Sequence, residues 1–416
     1  MGKGVIMLDH LRLHLFFKER HLERLTDGSA VLKGKPDDYG FAVASRHVEK
    51  NELGIYEPKD LYAPYESLPS SYTGLAVKLF HISNYSDPYV EIKASPPKLL
   101  QGHNVFGGES VGNAACEMLG ILFQAMPLLA DAIHLPSTQI RHLDVTFSSQ
   151  VSNPNVIPKV IDYMSRLRNG QTRPTKDKKF ATTAYWGGST SRLVQLKCYA
   201  KHAEMLHQFE RFKKAAEAGD TQAKLIVDTV YTPELFEYSR NLMRWEARIK
   251  YRKLERLGIP TNLFEFIKYQ NQNKNLLGEL WRLSFAPIIK TFEGQAMPYA
   301  NDDDLYDLLK DKLKTYTASG RVSYTKANNA MNFYHLLRDI GFEQVKQRYS
   351  RPTFYRNLKN LTDAGLSKAW LQNLHTHEKG QVIPLVKFAE IDFTKQAPSG
   401  YRPPVSQFNL PFAIAS

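Results

Sequence analysis

Four segments of the chain alternate apolar and polar residues with a period of two, which is the pattern of a half-buried β-strand. They are residues 88–95, 140–148, 193–201 and 244–250. Each segment has one apolar face, and each polar face carries charged side chains where strands more often present β-branched residues. If the four strands share a sheet, their polar faces converge on one surface. This pattern therefore constrains both the fold and the position of a site.

Three of the polar faces carry a carboxylate among basic side chains. The acids are Glu91, Asp144 and Glu246. Carboxylate oxygens suit Mg²⁺ or Mn²⁺, which take few protein ligands in addition to substrate phosphates. The sequence therefore predicts that these three residues form a magnesium or manganese site. The alternative is a solvated sheet face, on which Glu246 pairs with Arg244 or Arg248.

The charge balance indicates which substrate such a site would have. The 416 residues include 55 Lys and Arg against 42 Asp and Glu, a net charge of +13 that is not confined to one tail. A basic excess of this size favours a polyanion as partner, most simply nucleic acid, although charge alone also fits an unrelated basic protein. Lys197 and Arg248, on the polar faces, are the candidates for binding DNA phosphate beside the metal.

A tyrosine lies on the polar face of the third segment. Lys197 and Lys201 lie two residues on either side of Tyr199, which puts all three on one face of a strand. A phenol with an ordinary pKa of about 10 is a weak nucleophile and needs a neighbouring cation, base or metal. Tyr199 is the candidate nucleophile and Lys201 the second catalytic candidate. A metal nuclease that hydrolyses DNA without a covalent step remains an alternative.

The length of the chain exceeds one ordinary core and predicts two domains. We expect an α+β domain with an antiparallel sheet over residues 1–290 and a helical domain over residues 291–416. The predicted strands are 5–16, 73–82, 88–95, 140–148, 181–187, 192–200 and 244–251. The predicted helices of the first domain are 110–134, 156–169, 202–218 and one that Thr232 caps.

The second domain is predicted to contain a helix-turn-helix. Its second helix follows a potential cap at Ser350 and ends before Gly365. The predicted buried stripe is Phe354, Leu358 and Leu361, and the predicted DNA-binding residues are Arg351, Arg356 and Lys359. An ordinary small helical bundle with solvated basic residues is the alternative.

The sequence also indicates the compartment. The two cysteines, Cys116 and Cys198, are too few for a disulfide framework and favour the cytosol. The first 20 residues contain early charges that do not fit a signal sequence. We find no apolar run long enough to span a membrane, so we expect no membrane association.

Several long strings resemble the gene II protein family, the replication initiators of filamentous bacteriophages. They are "ESLPSSYTGLAVKLF", "PYVEIKASPPKLLQGHNVFG", "NGQTRPT", "RWEARIKYRKLERLGIPTNLF" and "VIPLVKFAEIDF". The resemblance implies a rolling-circle nuclease that nicks the plus-strand origin, becomes joined to the 5′ phosphate through tyrosine, and later recircularises displaced strands. It implies as partners the double-stranded replicative form, the single-stranded plus strand and a host helicase, in the cytoplasm of the host bacterium. A monomer and an oligomer on origin DNA both stay open.

The resemblance also assigns particular residues. The family's nucleophile lies in a Tyr-x-Lys-His-x-Glu string, which here begins at Tyr199. Many rolling-circle initiators bind metal through a His-hydrophobic-His strand, and the corresponding string here is His142-Leu143-Asp144. Asp144 matches the filamentous-phage pattern and His142 does not, so His142 is left out of the metal set. The family further implies a shorter product from an internal start, for which Met297 is the best-placed methionine. An origin-binding regulator without catalytic activity is the alternative function.

Overall fold

The computed structural model describes residues 6–50, 52, 55–81, 86–151, 154–166, 174–175, 183–188, 190–293, 302–366, 368–377 and 396–409. The strands are β1 (Met7–Phe16), β2 (Leu22–Arg24), β3 (Ala30–Leu32), β4 (Ala44–Lys50), β5 (Tyr56–Tyr62), β6 (Glu66–Leu68), β7 (Leu75–Phe80), β8 (Tyr89–Ala94), β9 (Gln139–Gln150), β10 (Pro174–Thr175), β11 (Thr183–Trp186), β12 (Val194–Ala200), β13 (Leu242–Lys250), β14 (Thr315–Tyr316) and β15 (Val322–Ser323).

Helices precede, connect and follow these strands. They are α1 (Pro96–Gln101), α2 (Val111–Ala125), α3 (Pro127–Ala132), α4 (Ile157–Arg166), α5 (Lys201–Glu217), α6 (Thr221–Val230), α7 (Pro233–Arg240), α8 (Tyr251–Arg256), α9 (Leu263–Gln272), α10 (Leu276–Glu293), α11 (Asp302–Leu313), α12 (Thr325–Ile340), α13 (Phe342–Arg348), α14 (Arg351–Asp363) and α15 (Lys368–His377). Among the described residues, no helix is long and apolar enough to cross a membrane.

A nine-stranded sheet organises the first part of the chain. Its strand order is β10-β11-β12-β13-β9-β1-β8-β7-β6. Every neighbouring pair in it is antiparallel. The predicted α+β class and antiparallel pairing are therefore confirmed, and the four alternating segments lie in this one sheet as β8, β9, β12 and β13.

Two predicted helix features had different outcomes. The predicted helix over residues 110–134 is interrupted at Met126, which has φ −132° and ψ 71°, so that α2 and α3 are separate. Pro127 explains the break because proline disfavours a helical conformation in the residue before it. The predicted cap at Thr232 is confirmed, since its hydroxyl accepts a hydrogen bond from the backbone N–H of Leu235 at 3.3 Å.

The apolar face of the sheet forms the main core together with α2, α9 and α10. Trp281 of α10 shows how closely these layers pack. Its ring lies 4.7 Å from that of Phe147 on β9, and its indole N–H donates to the carbonyl oxygen of Trp245 on β13 at 3.0 Å. This packing leaves the opposite, polar face of the central strands as the surface on which a site can form.

One end of the polar face is covered by a second, smaller core. Val105 in the loop after α1 packs with Met205 of α5, with Leu235 of α7 and with residues of α6. Leu242 at the start of β13 belongs to the same cluster. Helices α5–α7 and the loop of residues 102–106 therefore enclose the end of the sheet at which β12 finishes.

The C-terminal helices α11–α15 have a separate hydrophobic core. The predicted stripe of α14 is confirmed, because Phe354, Leu358 and Leu361 are buried in it. The predicted side-chain cap is wrong: the hydroxyl of Ser350 donates to the hydroxyl of Thr353 and caps no backbone N–H. Gly365 follows α14 with a φ of 103°, a left-handed conformation that favours glycine.

Residues 396–409 return to the first core. The side-chain amide of Gln396 bonds both backbone groups of Ser148 on β9, at 2.7 and 2.9 Å. Farther along, Phe408 packs against Gly120 of α2, where an added Cβ would lie 2.0 Å from the ring. The prediction assigned this segment to the C-terminal domain.

Three features named from the sequence lie outside the described part of the chain. They are residues 169–173 and 382–393, which belong to the strings that resemble the gene II protein family, and Met297.

Candidate active site

The register of the central strands brings the predicted polar residues onto one face. On β13, Glu246 lies opposite Lys197 of β12, and Arg248 lies opposite Asp144 of β9. Strand β1 separates β9 from β8, which carries Glu91. The polar face therefore runs from Glu91 at one end to the end of β12 at the other.

Glu91 lies in a compact cluster that we call the Glu91 end, formed by Glu91, Arg12, His14 and Tyr65. The carboxylate is 0% exposed and accepts hydrogen bonds from Arg12, from Tyr65 and, at 2.9 Å, from His14. Burial alone would raise the pKa of Glu91, but its three hydrogen-bond partners outweigh burial and lower that pKa to about 2. The Glu91 end is thus a set of charges that neutralise one another.

Glu91 is too far from Asp144 to share a cation with it. On β1, the partner of Glu91 is His14 and the partner of Asp144 is His10. Four residues along a strand span about 13 Å, and β8 and β9 are also about 10 Å apart across β1. Two oxygens that bind one Mg²⁺ at about 2.1 Å lie within about 4 Å of each other. Glu91 therefore stays a predicted metal ligand, but in this structure it does not share a cation with Asp144.

The opposite end, which we call the Tyr199 end, is formed by Tyr199, Lys197, Arg244 and Glu246. The Tyr199 hydroxyl donates to Oε2 of Glu246 at 3.4 Å, and Nζ of Lys197 lies 2.7 Å from Oε1 of the same carboxylate. The ammonium group of Lys197 also lies 5.2 Å from the centre of the tyrosine ring. Tyr199 is 7% exposed, and this burial, with the charge of Glu246 second, raises its pKa well above the ordinary value.

This environment determines the protonation state of the phenol. At neutral pH Tyr199 is protonated, so it needs a proton acceptor or a bound cation before it can act as a nucleophile. The Glu246 carboxylate is the acceptor to which the hydroxyl already donates. The arrangement can therefore deliver a tyrosine oxygen to an electrophile once that proton has been removed.

Lys201 does not share the strand face with Tyr199 as predicted. Strand β12 ends at Ala200 and Lys201 begins α5. The period-two argument therefore extends one residue beyond the strand. Its buried ammonium group pairs with Glu204 and donates to Oδ1 of Asn104 at 2.6 Å. Burial, opposed by the charge of Glu204, lowers the pKa of Lys201 to about 8.

This geometry gives a physical reason for the string that begins at Tyr199. The Lys201–Glu204 ion pair joins residues three apart, which are neighbours on a helix surface. The imidazole of His202 bonds the hydroxyl of Ser239 on α7 at 2.7 Å, which ties α5 to α7. The lysine, histidine and glutamate therefore position the helix that directly follows Tyr199.

Two residues at this site were not identified from the sequence. Asn104 donates to Oδ1 of Asp9 at 2.7 Å and accepts from Lys201, so it links β1 to α5. Asp9 is buried, although the alternation of β1 would place it among the apolar residues. A shift in pairing between Leu8 and His10 explains this change of side. The signal that could have identified Asp9 is a lone acid within an apolar strand.

Asp144 lies between the two ends of the face. Its oxygens accept two hydrogen bonds from Arg248, at 2.8 and 2.7 Å. Burial would raise the pKa of Asp144, but Arg248 outweighs burial and lowers it. Next to it, Nε2 of His142 lies 3.2 Å from Nδ1 of His10, and burial lowers the pKa of both imidazoles, which are neutral at pH 7.

The polar face offers two carboxylates to the predicted cation. Among the residues that the structure describes, no group of three His, Cys, Asp or Glu side chains is arranged to hold a metal ion. Asp144 and Glu246 nevertheless lie on adjacent strands, diagonally across one face. Mg²⁺ commonly takes one or two carboxylates and completes its shell with water and phosphate, so these two residues fit it. Arg248 and Lys197 neutralise these carboxylates in the structure.

The remaining predicted DNA-binding residues lie on α14. Arg351, Arg356 and Lys359 are all exposed. Lys359 pairs with Asp363 one turn later, whereas Arg351 and Arg356 form no ion pair within the described part of the chain. The charges of Arg351 and Arg356 are therefore both available to a partner.

Comparisons with known proteins identify the family of the chain. Two family models match, replication-associated protein G2P N-terminal over residues 7–275 and replication-associated protein G2P C-terminal over residues 316–407. G2P of Salmonella phage IKe is 39% identical over 375 residues, covering 89% of this chain and 88% of the relative. G2P of Enterobacteria phage M13 is 37% identical over 371 residues, covering 88% and 90%. No solved structure matches significantly. The chain therefore belongs to the replication-associated protein G2P family of filamentous phages.

Proposed function

We propose that this protein initiates rolling-circle replication of a filamentous phage by nicking and later rejoining the plus strand at the origin. Two observations support the proposal. The chain belongs to a family of phage replication-associated proteins. Tyr199 starts the string expected of the nucleophile, and its hydroxyl donates to a buried carboxylate. The second observation carries the chemistry, because it supplies a nucleophile and a proton acceptor together.

The proposed reaction conserves the energy of the broken bond. Tyr199 loses its proton to Glu246, and the phenolate oxygen forms a bond to phosphorus. The bond from phosphorus to the 3′ oxygen breaks, and that oxygen takes up a proton to become a 3′-hydroxyl. The product is a 5′-phosphotyrosine, which a 3′-hydroxyl attacks in the reverse sense when the displaced strand is rejoined.

We propose Asp144 and Glu246 as the residues that hold Mg²⁺ or Mn²⁺. When bound, the cation would stabilise the charge that develops on the transferred phosphate. Lys197 and Arg248 neutralise the same carboxylates and are proposed to contact DNA phosphate. Lys201, with a pKa of about 8, is mostly protonated at neutral pH, and its ion pair with Glu204 holds the first turn of the helix that follows Tyr199.

The proposed partners are the double-stranded replicative form and the single-stranded plus strand, in the cytoplasm of the host bacterium. A host helicase that separates the strands after the nick, and assembly into an oligomer on the origin, belong to the same proposal. We further propose that α13 and α14 act as a helix-turn-helix. Two residues join these helices, and α14 presents Arg351, Arg356 and Lys359 to solvent.

The nucleophile is tested with labelled supercoiled phage DNA, Mg²⁺ and a denaturing gel. Tyr199→Phe should bind origin DNA but form neither a nick nor a covalent adduct, because only a hydroxyl is removed. Tyr185→Phe is the matched control, since Tyr185 lies on the adjacent strand β11 opposite Lys197. We expect that control to nick at the wild-type rate. Nicking by Tyr199→Phe at the wild-type rate would reject the assignment, and a wild-type protein that binds without an adduct would instead be a regulator.

The DNA-binding role of α14 is tested by titrating origin and scrambled duplexes at several salt concentrations. If Arg356 contacts a base, Arg356→Ala should lose about 1–3 kcal/mol of binding free energy on the origin duplex only. If it contacts phosphate, the loss should be equal for both duplexes and the salt slope should fall by about one. Lys359→Ala is the control, with a smaller effect because Lys359 pairs with Asp363. Unchanged affinity of Arg356→Ala for both duplexes would reject the role.

A further inference from the structure

Arg244 is a buried cation that has no carboxylate partner in the described part of the chain. Arg244 lies on β13 directly opposite Tyr199 of β12 and is 1% exposed. Antiparallel partners point to the same face, so the guanidinium lies beside the phenol. Among the described residues, no carboxylate oxygen lies within ion-pair distance of Arg244. A buried charge of this kind is costly unless an anion compensates it.

The other basic residues of this region differ from Arg244. Arg248, on the same strand and face, pairs with Asp144 through two hydrogen bonds. Lys197 pairs with Glu246, and Lys201 pairs with Glu204. The charge of Arg244 acts on Glu204 only at longer range, where it contributes to the lowered pKa of that carboxylate. Arg244 is therefore the member of this group that lacks its own counter-ion.

The present contacts of Arg244 are with neutral atoms. One terminal nitrogen donates to the carbonyl oxygen of Val105 in the 102–106 loop. The other donates to the hydroxyl of Thr146 at 3.3 Å and lies 3.8 Å from the sulfur of Met7. Nε is buried and has no hydrogen-bond partner. The planar guanidinium fork matches the oxygens of phosphate, so a neutral carbonyl here occupies a place suited to an anionic oxygen.

We propose that Arg244 binds the DNA phosphate that Tyr199 attacks, and that this phosphate displaces the Val105 carbonyl from the guanidinium. The assignment rests on the proposed function, which it extends by naming the residue that holds the reacting phosphate. The displacement also requires the 102–106 loop to move, because Val105 is packed in the small core over this end of the sheet. DNA binding is thereby coupled to opening of the loop.

The test measures binding without cleavage, in the full chain carrying Tyr199→Phe. Two origin oligonucleotides differ only at the nicked position, where one has the natural phosphate and the other an uncharged methylphosphonate. The methylphosphonate should bind Tyr199→Phe roughly 10- to 100-fold more weakly, the range for losing a hydrogen bond to a charged group. In the double variant Tyr199→Phe, Arg244→Gln, the two oligonucleotides should bind equally. Arg12→Gln in the same background is the matched control, because Arg12 pairs with Glu91 at the other end of the face, and it should keep the difference in affinity between the two oligonucleotides.

The alternative is that Arg244 only anchors the loop. Arg244→Gln would then weaken the binding of both oligonucleotides by the same factor. The difference in affinity between natural phosphate and methylphosphonate would remain, which would overturn the proposal. Loss of the difference in affinity in the Arg12→Gln control would overturn it as well. If Arg244→Gln does not fold, Arg244→Lys replaces it, and this variant should show a reduced discrimination because it keeps the charge without the fork. Full discrimination by Arg244→Lys would overturn the proposal.

The proposed function is assessed separately by the covalent adduct of the wild-type protein. An adduct combined with unchanged discrimination in the Arg244 variants rejects the Arg244 assignment alone. Absence of an adduct in wild-type protein that binds the origin rejects the nicking function, and the Arg244 assignment with it.

Discussion

The Glu91 end and the Tyr199 end lie on the same sheet face and contain similar residue types, but they hold buried charge differently. At the Glu91 end, the carboxylate is surrounded by Arg12, His14 and Tyr65, which satisfy it completely. At the Tyr199 end, a protonated phenol and an uncompensated guanidinium lie side by side. Self-neutralised charges stabilise a fold, whereas uncompensated ones favour a ligand. Glu91 and Glu246 both have a cationic partner, so the two ends differ in Arg244 and not in their carboxylates.

The largest expected difference is between Glu246→Gln and Glu91→Gln in nicking. Glu246→Gln should lower the cleavage rate roughly 10²- to 10⁴-fold, because a proton acceptor in the reaction is removed. Glu91→Gln should keep cleavage near the wild-type rate, since Glu91 lies far from Tyr199. Single-turnover cleavage of origin DNA at saturating protein measures both. Equal losses in the two variants would remove the distinction between the two ends.

A smaller effect is expected for Asp144→Asn. Its cleavage rate should fall roughly 10- to 100-fold, the range for changes around metal ligands. Excess Mn²⁺ should partly restore Asp144→Asn and leave Tyr199→Phe inactive, because only the former keeps the nucleophile. Cleavage assays over a Mg²⁺ and Mn²⁺ titration provide the measurement. Full activity of Asp144→Asn at ordinary Mg²⁺ would exclude Asp144 from the site.

The smallest effect concerns acid stability at the Glu91 end. The pKa of Glu91 is lowered to about 2 in the folded protein, so its contribution is present above the ordinary pKa and is lost as pH falls from about 4.5 to 2. The contribution to the free energy of unfolding is on the order of 3 kcal/mol at most, since one partner, Arg12, is partly exposed. Urea unfolding at several pH values measures it.

The matched variants for that measurement are Glu91→Gln and Glu23→Gln, the latter at an exposed position. Glu91→Gln should make the stability curve less steep between pH 4.5 and 2, and Glu23→Gln should leave it unchanged. An unaltered slope in Glu91→Gln would contradict the lowered pKa.

The sequence predicted the central part of the fold because its strands are regular. The alternation in β8, β9, β12 and β13 was sufficient to place Asp144, Glu246 and Tyr199 on one face. It could not give the strand order, which inserts β1 between β8 and β9 and so separates Glu91 from Asp144. Which strands are neighbours depends on contacts between residues that are distant in the chain.

The rest of the site depends on irregular backbone. The alternation continues in the sequence as far as Lys201 and predicts a strand face for it, although the chain changes to a helix at that residue. Asp9 reaches the polar face only through a local shift in pairing, and Asn104 comes from a loop. The exceptional environment of Arg244 follows from tertiary packing alone.

The most direct test of the account identifies the residue that carries DNA after cleavage. Wild-type protein is incubated with origin DNA and Mg²⁺, the complex is digested with nuclease and protease, and the modified peptide is sequenced by mass spectrometry. The account predicts a single phosphotyrosine-linked nucleotide on Tyr199. A nucleotide on another residue, or efficient nicking without any linked peptide, would contradict it.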